Sequence, residues 1–402
     1  MRRPFQILLL AYTTYASQVP SELFSPLIPS KVLNTSRILP TPIKYPQYTT
    51  RDGTWQLFVP DTWTSGFFPS TPYALDTRAK LCPSQTAGTD WVALGRSLST
   101  GLIPLETHNT QGHDVGFLSM PFMLELDVNP ENQTAIQAIN AFATDLAARF
   151  NPTVGCTRSW DTEDPTDFTV IIDNMMNLEV LFSSYSLTQN TTLRTIALTH
   201  ARTTLINHIR TDGSTWHVIE YNSTTGSVIR KRTAQGFSDS STWSRGQAWG
   251  IYGFANVYKN VKGTEDEDEV FLDTARRLAN FFLDNIPEDG VVPWDYNAPV
   301  ETSGPLVGVV PSDSSAATIA VNGLLLLAQV EEDEELKQRW IDGAINILDK
   351  ITSLAWRPEW QSLLSNGTVN RPQDNFATGI VYGDYYFITA GNVLVDMGLA
   401  QC

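Results

Sequence analysis

The chain lacks any apolar run approaching the roughly 20 residues that a membrane-crossing helix requires, so no membrane partner is expected. It is also poor in basic residues: 27 Lys and Arg stand against 43 Asp and Glu, a net charge of −16 over 402 residues. A surplus of that sign repels nucleic-acid backbones and anionic lipid surfaces, which argues against nucleic acid as a partner. Cysteine is scarcer still. Three are present, and no Cys/His spacing suits a zinc site, so neither a metal nor a cofactor is expected. The odd count leaves the pairing open: Cys82 and Cys156 can join, with Cys402 left at the chain end. Glycine and proline, 25 and 23 residues, stand at ordinary levels, which excludes collagen-like and wholly disordered chains.

What is present is core-forming. Hydrophobic residues make up 42% of the chain, and aromatics 10%, with 11 Trp among them. That is more Trp than packing usually needs, and a Trp ring offers a face to a sugar. The N-terminus reads as a short signal peptide over residues 1–16, with Arg2 and Arg3 ahead of Phe5 to Tyr12 and small residues around Ala16. Five Asn-x-Ser/Thr sequons, at Asn34, Asn132, Asn190, Asn222 and Asn366, fit a secreted protein; a cytoplasmic location is the alternative. Residues 17–60, rich in Pro, Ser and Thr, are expected to form an extended lead-in, and residues 61–402 a single domain.

Within that domain helical spacing dominates and strand alternation is scarce. Ile139, Ala143, Leu146 and Phe150 share one helical face; Leu193, Ile196, Ala197 and Leu205 share another. Phe271, Ala275, Leu278 and Phe282 mark a third, and Leu336, Trp340, Ala344 and Leu348 a fourth. Residues 316–330 are apolar nearly all round, as an inner helix enclosed by others would be. The acidic runs at 265–269 and 331–335 sit just ahead of helices, where negative charge suits the helix dipole. An all-α ring of helices with functional loops at one end fits this pattern.

Three segments carry chemistry. His113-Asp114 puts a titratable pair just ahead of Gly116 and an apolar stretch. In Ile171-Ile172-Asp173-Asn174-Met175-Met176-Asn177 a carboxylate interrupts a large apolar run. Such an Asp either caps a helix or is desolvated, and desolvation raises its pKa toward the value that a general acid needs. Trp243-Ser244-Arg245-Gly246-Gln247-Ala248-Trp249 places a guanidinium fork between two indoles at a loop-to-helix junction, with Ser and Asp available as caps.

These motifs, together with Trp63-Thr64-Ser65-Gly66-Phe67, Gly213-Ser214-Thr215-Trp216-His217 and Tyr382-Gly383-Asp384-Tyr385-Tyr386, resemble in order the unsaturated glucuronyl hydrolases of glycoside hydrolase family 88. The resemblance spans roughly residues 55 to 395. It implies an (α/α)6 barrel and removal of the 4,5-unsaturated uronic acid that polysaccharide lyases leave at a non-reducing end. It also implies Asp173 as general acid/base and Asp114 as a second essential carboxylate that contacts sugar hydroxyls. Trp63, His113, Trp160, His217, Gln235, Trp243, Arg245 and Trp249 match positions lining the uronate site, with Arg245 as partner of the substrate carboxylate. Where bacterial members carry serines, this chain reads Pro372-Gln373-Asp374-Asn375-Phe376-Ala377-Thr378-Gly379, so tolerance of sulfated substrates does not carry over. The competing readings are an unsaturated rhamnogalacturonyl hydrolase acting on pectin fragments and a non-catalytic carbohydrate-binding protein.

Overall fold

The computed structural model describes residues 18–83, 88–164, 166–302 and 306–402, so the signal-peptide segment 1–16 lies outside the described residues. The helices, in chain order, are α1 (Leu27–Arg37), α2 (Phe67–Leu81), α3 (Trp91–Ser99), α4 (Val115–Val128), α5 (Gln133–Ala148), α6 (Asn174–Asn177), α7 (Glu179–Thr188), α8 (Thr191–His208), α9 (Ser244–Val261), α10 (Glu269–Asp284), α11 (Ser314–Val330), α12 (Glu334–Ala355) and α13 (Val381–Asp396). They form an (α/α)6 barrel. The inner ring runs α2, α4, α7 with the short α6, α9, α11 and α13, and closes where α13 packs on α2. Outside it lie α3, α5, α8, α10 and α12, each following its inner partner in the chain and packed against it, while α1 takes the sixth outer place beside α2 and α13.

Hydrophobic patterning sorts the two rings. Every residue of α11 except Leu326 and Gln329 is buried, as its all-round apolar sequence requires. By contrast α10 buries one stripe that includes Phe271, Ala275, Leu278 and Phe282, and exposes the rest. Asp268 and Asp333, from the two acidic runs, cap α10 and α12 by accepting from the N–H groups of Val270 at 3.1 Å and Glu335 at 2.9 Å. Phe150, expected at the end of a helical face, leaves α5 and pairs with Thr157 instead.

Segment 17–60 is not an extended strap. It contains α1, which buries Ile28, Lys31, Val32 and Thr35, and a hairpin of β1 (Tyr45–Thr49) and β2 (Trp55–Phe58). The prolines permit this because Pro26 precedes α1 and Pro29 falls in its first turn, where a missing N–H costs no intrahelical bond. The cysteine pairing also differs from the one considered. Cys82, at the end of α2, is joined to Cys402, and Cys156 is free and buried. Because α13 completes the ring beside α2, the chain end arrives at the α2 terminus rather than near Cys156.

Short strands sit on the loops. β3 (Phe150–Asn151) pairs with β4 (Cys156–Thr157), and β5 (Asp167–Ile171), β6 (Val218–Asn222) and β7 (Val228–Arg232) form an antiparallel sheet. β8 (Gly367–Asn370) pairs with β9 (Asn375–Thr378). The sheet and the last hairpin gather at the end of the barrel where the inner helices begin.

Candidate active site

Strand register positions the first pair of groups. Ile171 of β5 lies opposite Val218 of β6, and the Ile172 N–H donates to the His217 carbonyl at 3.0 Å. This carries Asp173, next in the chain, to His217: Nε2 stands 3.8 Å from Asp173 Oδ2. Asp114 ends a one-turn 3-10 helix, Gly112–Asp114, that leads into α4. The next turn of α4 is pressed onto α6, where Asn177 Oδ1 accepts from the Phe117 N–H at 3.0 Å. Gly116 makes the approach possible, since a Cβ there would sit 2.6 Å from Asn177 Cα. Two carboxylates 59 positions apart are thereby brought into one field.

Electrostatics divides their roles. Asp173 is 9% exposed, makes no cap bond to α6, and leaves Oδ2 without a hydrogen-bond partner among the described residues. Burial pushes its carboxyl up to about 7; the Asp114 carboxylate adds to the rise, while His113 and Arg245 pull against it. Burial lowers the pKa of His113, but the Asp114 carboxylate 3.2 Å away, the Ser159 backbone and Asp173 together outweigh it, and the imidazole is raised above its ordinary value. His217 is the opposite case: burial, then the Arg245 charge, push it well down. Its Nδ1 accepts from the Ala234 N–H at 3.3 Å, which assigns the remaining proton to Nε2, facing Asp173.

Aromatic rings frame these groups. Trp243 stacks on His217 with centroids 4.3 Å apart, and Trp160 meets the same imidazole edge-on at 6.2 Å. Trp63 tilts over Tyr382 at 5.0 Å and Phe117 at 5.6 Å. Asp114, Trp63, Trp160 and Gln235 remain half-buried, and so present surface to a ligand. Trp249 does not. It is 0% exposed, packed against Phe117 at 5.3 Å and Tyr386 at 5.8 Å, and forms part of the floor beneath the site rather than a sugar-stacking face.

Arg245 also departs from expectation. It lies in the first turn of α9, but Trp243 is the N-cap residue and no Ser or Asp side chain caps the helix. The guanidinium is 2% exposed and already engaged. Nη1 donates to Asp313 Oδ2 at 2.8 Å and to the Thr368 carbonyl; Nη2 donates to Gln235 Oε1 at 2.7 Å and to the Val369 carbonyl at 2.8 Å. All four Nη hydrogens are spent within the protein, so no open fork faces a substrate carboxylate. The bond to Gln235 Oε1 instead leaves the Gln235 amide N–H group to point away from Arg245.

Two members of the constellation were not anticipated as site residues. Asp313 is fully buried, caps α11 through the Ser315 N–H at 3.0 Å, and is the counter-charge of Arg245. Its local signal was an Asp followed by two serines just ahead of an apolar helix. Tyr382 lies 5.6 Å under the Arg245 guanidinium and bridges it to Trp63.

No family model matches the chain. Individual proteins do. It is 35% identical over 337 residues, 82% of this chain and 78% of the relative, to an unsaturated glucuronyl hydrolase of Formosa agariphila. It is 35% identical over 295 residues, 70% and 74% of the two chains, to an unsaturated glucuronyl hydrolase of a Bacillus species, strain GL1. The crystal structure of an unsaturated glucuronyl hydrolase specific for heparin superposes with a TM-score of 0.82 at 28% identity, covering 95% of this chain and 98% of that one.

Proposed function

The chain belongs to the unsaturated glucuronyl hydrolases, and from that premise we propose that Asp173 drives the removal of a 4,5-unsaturated glucuronic acid from the non-reducing end of lyase-generated oligosaccharides. The substrate's C4=C5 bond is a vinyl ether. Protonation at C4 forms an oxocarbenium ion at C5, water adds there, and the proton it loses is taken up by the carboxylate just formed. The resulting hemiketal opens, and the aglycone departs without displacement at the anomeric carbon, unlike hydrolysis by a pair of flanking carboxylates.

The observation that carries this reading is the state of Asp173. A carboxyl held near 7 is protonated enough to deliver the first proton, and its conjugate base is strong enough to accept the second. Asp114, half-buried with Oδ1 3.2 Å from His113 Nε2, is placed as an acceptor for sugar hydroxyls. His217 keeps Nε2–H toward Asp173, and the Arg245 charge acts on the Asp173 carboxyl. Gln235, held by Arg245, offers its amide N–H group.

The test is optical. The unsaturated uronate absorbs in the near ultraviolet, and the absorbance is expected to vanish on turnover of a lyase-derived disaccharide and to persist with Asp173→Asn. Persistence with the parent protein would leave only a carbohydrate-binding role, and activity on a saturated glucuronide would overturn the vinyl-ether mechanism. Lyase products of pectin, offered in parallel, separate the rhamnogalacturonyl alternative.

The reading extends to a secreted protein. The Cys82–Cys402 bond belongs to an oxidising compartment; Asn190 lies exposed with its whole sequon, and the Asn34 side chain is exposed although Thr35 beside it is buried. Asn132 is unsuited to a glycan, because its amide is bound to Glu125 Oε1 at 2.7 Å.

A further inference from the structure

Asp114, Asp173, Arg245, Asp313 and Tyr382 all stand at or beside helix N-termini, whereas Met123 and Asp127 of α4 and Asn256, Lys259 and Asn260 of α9 lie in the C-terminal halves of their helices. There a cavity of about 450 Å³ opens between α4, α7, α9 and α13, within the range of roughly 300–1,000 Å³ typical of small-molecule sites. Phe117 and Tyr386, with Trp249 against both, form the floor dividing it from the catalytic residues.

Its polar groups are arranged but unused. Glu179 Oε2 accepts from Asn256 Nδ2 at 2.6 Å and from Asn260 Nδ2 at 2.9 Å, which fixes the carboxylate and leaves Oε1 uncommitted. Tyr385 and Tyr386 are 7% and 3% exposed, yet their hydroxyls, like that of Tyr252, meet no hydrogen-bond partner among the described residues. All three residues line the cavity, so the hydroxyls are open to what fills it. Asp127 and Glu179 line the cavity against the single cation Lys259, a surplus of one negative charge. Met120, Met123 and Leu124 give one wall an apolar face.

We propose that this cavity is a second binding site, separate from the catalytic centre, for a saturated hexose or hexosamine. Sugar hydroxyls or an amine donate to Glu179 and Asp127, ring oxygens accept from the tyrosines, and the C–H face lies on the methionine wall. A uronate would bring a third carboxylate into a site that already has two. The assignment rests on the enzymatic reading only in that a saturated sugar is what the reaction leaves behind.

Binding of glucosamine, glucose and glucuronate to the full chain, followed by saturation-transfer NMR and calorimetry, tests it. Glucosamine and glucose are expected to bind, and glucuronate is not. Binding should persist in Asp173→Asn with unsaturated disaccharide held in the catalytic site. Glu179→Gln and, separately, Tyr252→Phe should weaken it, Glu179→Gln by about tenfold or more, as loss of a hydrogen bond to a charged group does. Absence of binding, displacement by the disaccharide, or affinity unchanged in the folded Tyr252→Phe protein would each overturn the proposal. Failure of the catalytic reading shows separately, as near-ultraviolet absorbance that survives incubation with the parent enzyme.

Discussion

Asp313 and Arg245 form an ion pair at 2.8 Å with 0% and 2% of their side chains exposed, and it ties the starts of α11 and α9 to β8. Arg245 thereby presents charge, rather than a hydrogen-bonding fork, to Asp173, and Asp313 sets how much of that charge is compensated. In Asp313→Asn the guanidinium stands uncompensated, which favours the ionised Asp173, so the acid's pKa falls. Because the acid must be protonated to act, the high-pH limb of kcat is expected to move to lower pH, and Tm to fall. A lowered Tm with an unmoved limb would make Asp313 merely structural.

Gly116 and Asn177 bring the two carboxylate segments together by backbone contact. Gly116→Ala places a Cβ 2.5 Å from Asn177 Oδ1 and 2.6 Å from its Cα, which no rotamer change relieves. Overpacking of this kind costs about 1–3 kcal/mol, measurable by denaturant unfolding. A fall in kcat larger than the change in KM is expected as well, since the Asp114–Asp173 geometry opens. Unchanged kinetics in the destabilised variant would separate the contact from the chemistry.

Much of this was legible in the sequence because the barrel is built from periodic helices. The outer helices α8, α10 and α12 show single apolar faces, and α11 shows the all-round apolarity of an enclosed helix. The burial of Asp173 was legible from the apolar run around it, since Ile171, Ile172 and Met175 flank it in the chain and are themselves buried. The α1 helix was not, because prolines at a helix start read as breakers when the start itself is unknown. Trp249 and Arg245 lie four residues apart on one face of α9, both turned inward, and a Trp-rich motif looks alike whether its rings pack or bind. The partner that occupies Arg245 is 68 positions away on α11, beyond any local pattern.

Cys82 and Cys402 close the ring across 320 positions. Cys402→Ser is expected to lower stability by about 2–5 kcal/mol, the usual cost of losing a native disulfide. Activity at 25 °C should hardly change, because the bond lies at the end of α2 remote from Trp63 and the loops that bear the site. Thermal unfolding with and without reductant checks this: the parent Tm should fall with reductant and the variant's should not.

Asp173→Asn separates catalysis from stability through pH. The variant cannot donate a proton, and general acid/base catalysis contributes roughly 10²–10⁴-fold, so kcat should fall by at least that while substrate still binds. In the parent, a carboxyl raised from 3.8 to about 7 holds its proton in the folded state at pH values where the unfolded chain has released it. Its contribution to stability is therefore complete below about pH 4 and declines as pH rises to about 7; above that a buried charge weighs on the fold, by up to about 4 kcal/mol. The Asn variant carries no such charge. Its Tm relative to the parent should rise between pH 4 and 7 and level off above, with part of the gain offset by the attraction to His113 that the substitution removes. A parent whose activity does not decline above pH 7, with a Tm difference that is flat across the same range, would mean that Asp173 is ionised throughout and that the first proton comes from another group.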